Sequence, residues 1–143
     1  MQRDSRRFQA IQRLAEKKER DKAAAFGRRR EERDAARRRL QELESYRQDY
    51  LDRYTRAMQA GAAVSRLRDY QGFIERLERA ILEQRRLVDE QEARCREAKQ
   101  DWSEEYTQVR AIGNVVEHKQ AEERREEARR EQKLIDDRGP RRG

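Results

Sequence analysis

The fold is decided by the stretch Leu67–Val116, LRDYQGFIERLERAILEQRRLVDEQEARCREAKQDWSEEYTQVRAIGNVV. Every seventh residue from its start gives Leu67, Ile74, Ile81, Val88, Cys95, Trp102, Val109 and Val116. None of these is charged, although 47% of the chain is. Three positions further on run Tyr70, Leu77, Gln84, Gln91, Ala98, Glu105 and Ile112, a second and weaker row. Alternating steps of three and four place both rows along one seam of a long α-helix. A seam of this kind needs a cover, and the chain has to supply one.

Outward from that stretch, the composition is that of long helices. Only 34% of residues are hydrophobic, and there is one Pro and six Gly in 143 residues. Low hydrophobicity with many charges also describes an unfolded chain, but an unfolded chain has no reason to keep a seven-residue apolar repeat. The net charge of +7 sits at the front: residues 1–40 hold 15 Lys or Arg against 7 Asp or Glu, and the remainder is balanced. A basic segment implies an acidic partner surface, or simply a solvated helix face. Cys95 is the one cysteine, so no intrachain disulfide forms, and it is expected to be a small packing residue in a reducing compartment. No stretch approaches the run of about 20 apolar residues that spans a membrane. The expectation is a soluble, cytoplasmic chain.

Before the seam, Asp4 or Ser5 is expected to cap a first helix over about 5–58. Its sparse apolar face includes Phe8, Ile11, Ala15, Phe26, Ala36, Leu40, Leu43, Tyr46, Tyr50 and Tyr54. Residues 59–65 hold no charge, with Gly61 suited to a helix C-cap and Ser65 to the next N-cap. A second helix over about 66–137 follows, and 138–143 is expected to be a disordered tail. So short a connection favours antiparallel neighbours. Folding at the loop sets Tyr50 opposite Ile74, Leu43 opposite Ile81, Ala36 opposite Val88, Ala15 opposite Val109 and Phe8 opposite Val116. A single index sum of 124 describes all five layers. In the same register Lys22 would lie across the indole of Trp102. The first helix thus covers the seam, and the fold is an all-α antiparallel two-helix coiled-coil hairpin, a single rod whose second helix is the longer. Beyond about residue 120 that helix is expected to lack an intramolecular partner, with Gly113-Asn114 as a candidate hinge.

The chemistry of an enzyme is missing from this pattern. The single His118 lies among charges, the carboxylates are interleaved with cations, and neither a phosphate-cradling glycine loop nor metal-ligand spacing occurs. No cofactor, no metal and no catalytic residue is expected. A cluster of aromatics near the loop remains. Phe73 flanks the seam, where a single neighbouring helix cannot bury it well, and it is the best candidate for contact with another protein. Three function classes stay open on this basis: an interaction rod, a nucleic-acid-binding coiled coil using the basic start, and a generic scaffold.

At these residues the sequence resembles the flagellar FliJ family. The specific match is Leu43, Tyr46 and Tyr50, then Gly61, then Tyr70-Gln71, Phe73-Ile74, Leu77, Ala80-Ile81 and Gln84. The basic start around Phe8–Lys18 agrees, while Gly72 departs from the helix former expected there. The resemblance implies a soluble component of the flagellar type III export apparatus, similar in fold to the γ subunit of rotary ATPases. It implies three kinds of partner: a hexameric export ATPase like FliI, an export gate protein like FlhA, and export chaperones. Nucleic acid is not among them. The gate contacts carried over are Phe73 and Leu77. The ATPase ring is expected at the paired chain ends, with Phe8, Ile11, Arg124, Arg125, Arg129 and Arg130 as candidates. The isolated chain is expected to be a monomeric hairpin, attached to the cytoplasmic face of the inner membrane only through its partners.

Overall fold

The computed structural model describes residues 2–139 and consists of two α-helices, α1 (Gln2–Gln59) and α2 (Val64–Arg138). They form the expected antiparallel hairpin, with α2 the longer. Burial follows the heptad. Ile74, Ile81, Val88, Cys95 and Val116 are buried on α2, and Ala15, Ala36 and Leu43 on α1. The second row of α2, from Tyr70 to Ile112, is half-buried at every position. A matching second row on α1 (Ser5, Gln12, Glu19, Phe26, Arg33, Leu40, Arg47 and Tyr54) is buried or half-buried throughout. Five of those eight are polar or charged, so polar layers are interspersed among the apolar ones.

The polar layers carry the bonds that hold the register. Gln84 Nε2 donates to the Ala36 carbonyl at 2.9 Å. The Trp102 indole N–H donates to Glu19 Oε1 at 2.7 Å, and Arg47 forms an ion pair with Glu78 at 3.4 Å without a hydrogen bond from its Nε. Cross-helix partners have residue numbers adding to between 120, as in Ala36–Gln84 and Tyr50–Tyr70, and 129, as in Arg37–Glu92 and Glu44–Arg85. These values bracket the expected 124. Lys22 is exposed, and the polar end of the indole belongs to Glu19.

The chain groups into two compact units. One comprises 25–99 and the other the described residues of 1–24 and 100–143. The first contains the turn. Gly61 adopts φ 73°, the left-handed conformation open to glycine without a Cβ penalty. The Gly61 N–H donates to Met58 O at 3.1 Å and the Ala62 N–H to Ala57 O at 3.0 Å. These are the paired 5→2 and 6→1 bonds of a Schellman cap, which satisfy carbonyls that α1 would otherwise leave open.

The start of α2 corrects an expectation. The Leu67 N–H donates to Ala63 O at 3.1 Å, so Ala63 occupies the N-cap and Ser65 lies inside the first turn. The connection is therefore shorter than 59–65. Alanine has no side-chain acceptor for the open N–H groups, and that turn has no acidic residue either. Ala63→Asp is expected to raise stability by about 0.5–2 kcal/mol, the usual gain at an N-cap. Reversible urea unfolding would measure it, and a neutral or negative result would mean that the turn is already capped in solution.

The other unit holds three more corrections. α1 begins at Gln2, so Asp4 and Ser5 lie within its first turn rather than preceding it. Ser5 is buried and faces the opposite helix: its Oγ lies 2.9 Å from Glu123 Oε2, and its N–H donates to Glu123 Oε1 at 3.3 Å. A carboxylate at the positive end of α1 is electrostatically favoured. The cover of α2 thus reaches Glu123 rather than ending near 120. Beyond it α2 stays helical to Arg138, and residues 127–139 are exposed. Arg138 therefore belongs to the helix and not to the tail, and the remainder of the expected tail, 140–143, lies outside the described residues. α2 also continues unbroken through Gly113-Asn114, as it does through Gly72 in the loop-side unit.

Candidate functional site

The loop-side unit gathers aromatics within about three turns of Gly61. Tyr50 on α1 meets Phe73 on α2 with ring centroids 4.3 Å apart, and Tyr70 at 6.4 Å. The positions follow from the heptad. Tyr50 is a first-row residue of α1 and Tyr70 a second-row residue of α2, while Phe73 stands one place before the buried Ile74 and so emerges at the flank. Phe73 keeps 36% of its surface exposed, and Leu77, one turn on, is half-buried. Tyr54 is half-buried beneath, and its hydroxyl accepts a hydrogen bond of 2.7 Å from Gln71.

Tyr50, Tyr70 and Phe73 each carry an arginine. Arg53 lies 5.0 Å from the Tyr50 centroid, Arg66 5.9 Å from Tyr70 and Arg76 5.8 Å from Phe73. These are cation–π distances. With Asp69, the residues Tyr50, Arg66, Tyr70, Phe73 and Arg76 line an open cleft of about 350 Å³. The surface is mostly aromatic, with arginines and Asp69 around it. Gly72 has no atom within 4 Å of where a Cβ would stand. The sequence singled out Phe73 and Leu77 as candidates; the packing of Tyr50 against Phe73 and the three arginines were not read from it. Arginine at i+3 or i−4 from each ring was the available signal.

The residues expected at the ATPase end all fall in the other unit. Phe8 is half-buried under the Lys119 ammonium, 5.1 Å from its ring centroid. Ile11 is exposed, as is Leu14 one turn on, so the two form a short apolar strip facing outward. Arg124 joins Ser5, Gln9 and Glu127 along a surface cleft of about 350 Å³, and so stands beside the start of α1. Arg125, Arg129 and Arg130 lie on the exposed end of α2, where Arg130 pairs with Glu126 at 3.1 Å. Phe8 and Arg124 are thus brought to one end of the unit, and Arg129 and Arg130 sit with Lys133 on the overhang. Sequence reasoning passed over Leu134 and Ile135, which are adjacent, apolar and exposed on that overhang.

Among the described residues no group of three or more His, Cys, Asp or Glu is placed to hold a metal ion. None of the helices is long and apolar enough to cross a membrane. Neither the curated proteins nor the solved structures contain a match to this chain. The family model described as "Flagellar FliJ protein" matches residues 4–142, nearly the whole sequence. With a two-helix hairpin along that length and the aromatic cluster at its loop, the chain belongs to the flagellar FliJ family and is a component of the flagellar type III export apparatus.

Proposed function

We propose that the chain acts without catalysis as a stalk, joining the hexameric export ATPase to the export gate and escorting export chaperones. In this reading the unit formed by the two chain ends enters the ATPase ring. Ile11 supplies an apolar contact there, Phe8 supports the packing beneath it, and Arg124, Arg125, Arg129 and Arg130 supply polar ones. Distributed polar contacts suit a surface that must exchange or turn, because no single one of them dominates the affinity. The gate protein docks at Phe73 and Leu77, and the chain reaches the membrane only through these partners.

The observation that carries the reading is Phe73, an aromatic left 36% exposed at the flank of the seam and held in place by Tyr50 and Arg76. Exposed aromatics backed by rigid neighbours are the commonest anchors of protein interfaces. The nucleic-acid reading fits less well. Several of the N-terminal arginines are already engaged by carboxylates: Arg29 by Glu32, Arg33 by Asp34, Arg37 by Glu92 and Arg39 by Glu42.

Adding the purified chain to its cognate export ATPase is expected to raise ring assembly and ATP turnover. Arg124→Glu with Arg129→Glu should blunt the rise. An ATPase indifferent to micromolar chain would overturn the proposal at its first contact.

A further inference from the structure

The loop-side unit carries a second cleft, about 530 Å³ and well away from Phe73, that neither the gate nor the ATPase contact uses. We propose that it is a docking surface for an acidic amphipathic α-helix of a partner protein. On α1 it is lined by Arg30, Arg33 and Arg37, and on α2 by Arg96 and Lys99, around a floor of Phe26 and Cys95. Spacings of three and four set the arginines on one face of α1, over about 10 Å at 1.5 Å per residue. Arg96 and Lys99, three apart, face them from α2.

The charges do not balance within the chain. Glu92 is the one carboxylate in the lining, and Arg37 engages it at 2.7 Å. That hydrogen bond, set against desolvation, raises the Arg37 guanidinium above its ordinary value. Arg33 is held by Asp34 at 3.0 Å, with its other amino group 3.6 Å from Cys95 Sγ. Arg30 rests on the Phe26 ring at 5.6 Å, and among the described residues it has no carboxylate partner. Arg96 and Lys99 have none either. Three cations converging without an acid, beside a half-buried aromatic, form a site complementary to carboxylates flanking an apolar row.

An acidic amphipathic helix has that pattern, and its own three-and-four spacing repeats that of the two basic rows. Arginine forks favour carboxylates, which they bind through two parallel hydrogen bonds. The patch is also short. Exposed Glu31, Glu32 and Glu97 stand next to it in sequence, so no unbroken basic track continues along either helix for an extended polyanion. Phe26 is the only large apolar side chain in the lining, which gives a lipid surface too little to bind. The inference does not depend on the contacts proposed above for Phe73 or for the chain ends.

The test uses the full-length chain and a labelled amphipathic peptide with glutamates at three- and four-residue spacing beside a leucine row. Its counterpart has glutamine at each glutamate. Fluorescence anisotropy is expected to show the glutamate peptide binding at least about tenfold more tightly, with Arg30→Glu plus Lys99→Glu removing the difference. The charge-matched control Arg68→Glu plus Arg86→Glu should retain it. Circular dichroism monitors folding, and if the reversed variant loses helix, Arg30→Gln plus Lys99→Gln replaces it. Equal binding of the two peptides would overturn the proposal, as would retention of the preference in the cleft variants. So would preferential binding of duplex DNA or phosphatidylserine vesicles that the same variants abolish.

Discussion

Ile81→Ala is expected to lower the unfolding free energy by about 2–5 kcal/mol, whereas Leu82→Ala next to it should stay within about 0.5 kcal/mol. The two side chains are neighbours in sequence and similar in volume, yet Ile81 is 3% exposed and Leu82 63%. The heptad accounts for the difference. Ile81 is a first-row residue set opposite Leu43, itself buried, and its loss leaves a gap that a rigid helix pair closes only in part. The seam of a two-helix hairpin borders water on both flanks, so the gap is partly solvated and the lower half of the range is the better expectation. Urea unfolding of both variants measures the contrast. Equal costs would mean that Ile81 is not packed as described, and the assigned register would fail with it.

That register was legible because it is periodic. The eight positions from Leu67 to Val116 repeat often enough that one loop position fixes every layer, and Gly61 marked the loop. What escaped the sequence was local or distant chemistry without a period. Ala63 caps α2 through its backbone alone, so no side chain announced it, and Ser65 drew attention as the nearest hydroxyl. Ser5 has the chemistry of a cap but faces Glu123, 118 residues away. Its side-chain type told that it wanted a partner, not where the partner stood. For the same reason the stripe Arg30, Arg33, Arg37 was visible as a basic segment, while its convergence with Arg96 and Lys99 required the fold. At the candidate gate contact, Phe73 was identifiable from its position one place before the seam. Its backing by Tyr50 depends on the exact stagger of the helices, which an index sum gives only to within a turn.

The stagger matters to the second large effect, loss of flagellar export on Phe73→Ala. From sequence alone the substitution would be a surface change costing less than about 0.5 kcal/mol. The structure raises that figure. The ring packs on Tyr50 at 4.3 Å and carries Arg76, so truncation should cost about 0.5–1.5 kcal/mol through the aromatic pair, besides the area it uncovers. A fall in export could then reflect a weakened hairpin rather than a lost contact. Val88→Ala separates the two causes. Val88 is buried in the same unit, on the seam and about three turns beyond the aromatic cleft, and its truncation should destabilise the chain at least as much without touching the aromatic surface. If Phe73 is the gate contact, cells carrying Phe73→Ala lose most of their swimming in soft agar while those carrying Val88→Ala keep it, at matched protein levels. Leu77→Ala should produce a smaller defect in the same direction, because that side chain is half-buried and offers less of itself to a partner. Equal swimming by the Phe73 and Val88 variants, whether both normal or both defective, would return Phe73 to a packing role.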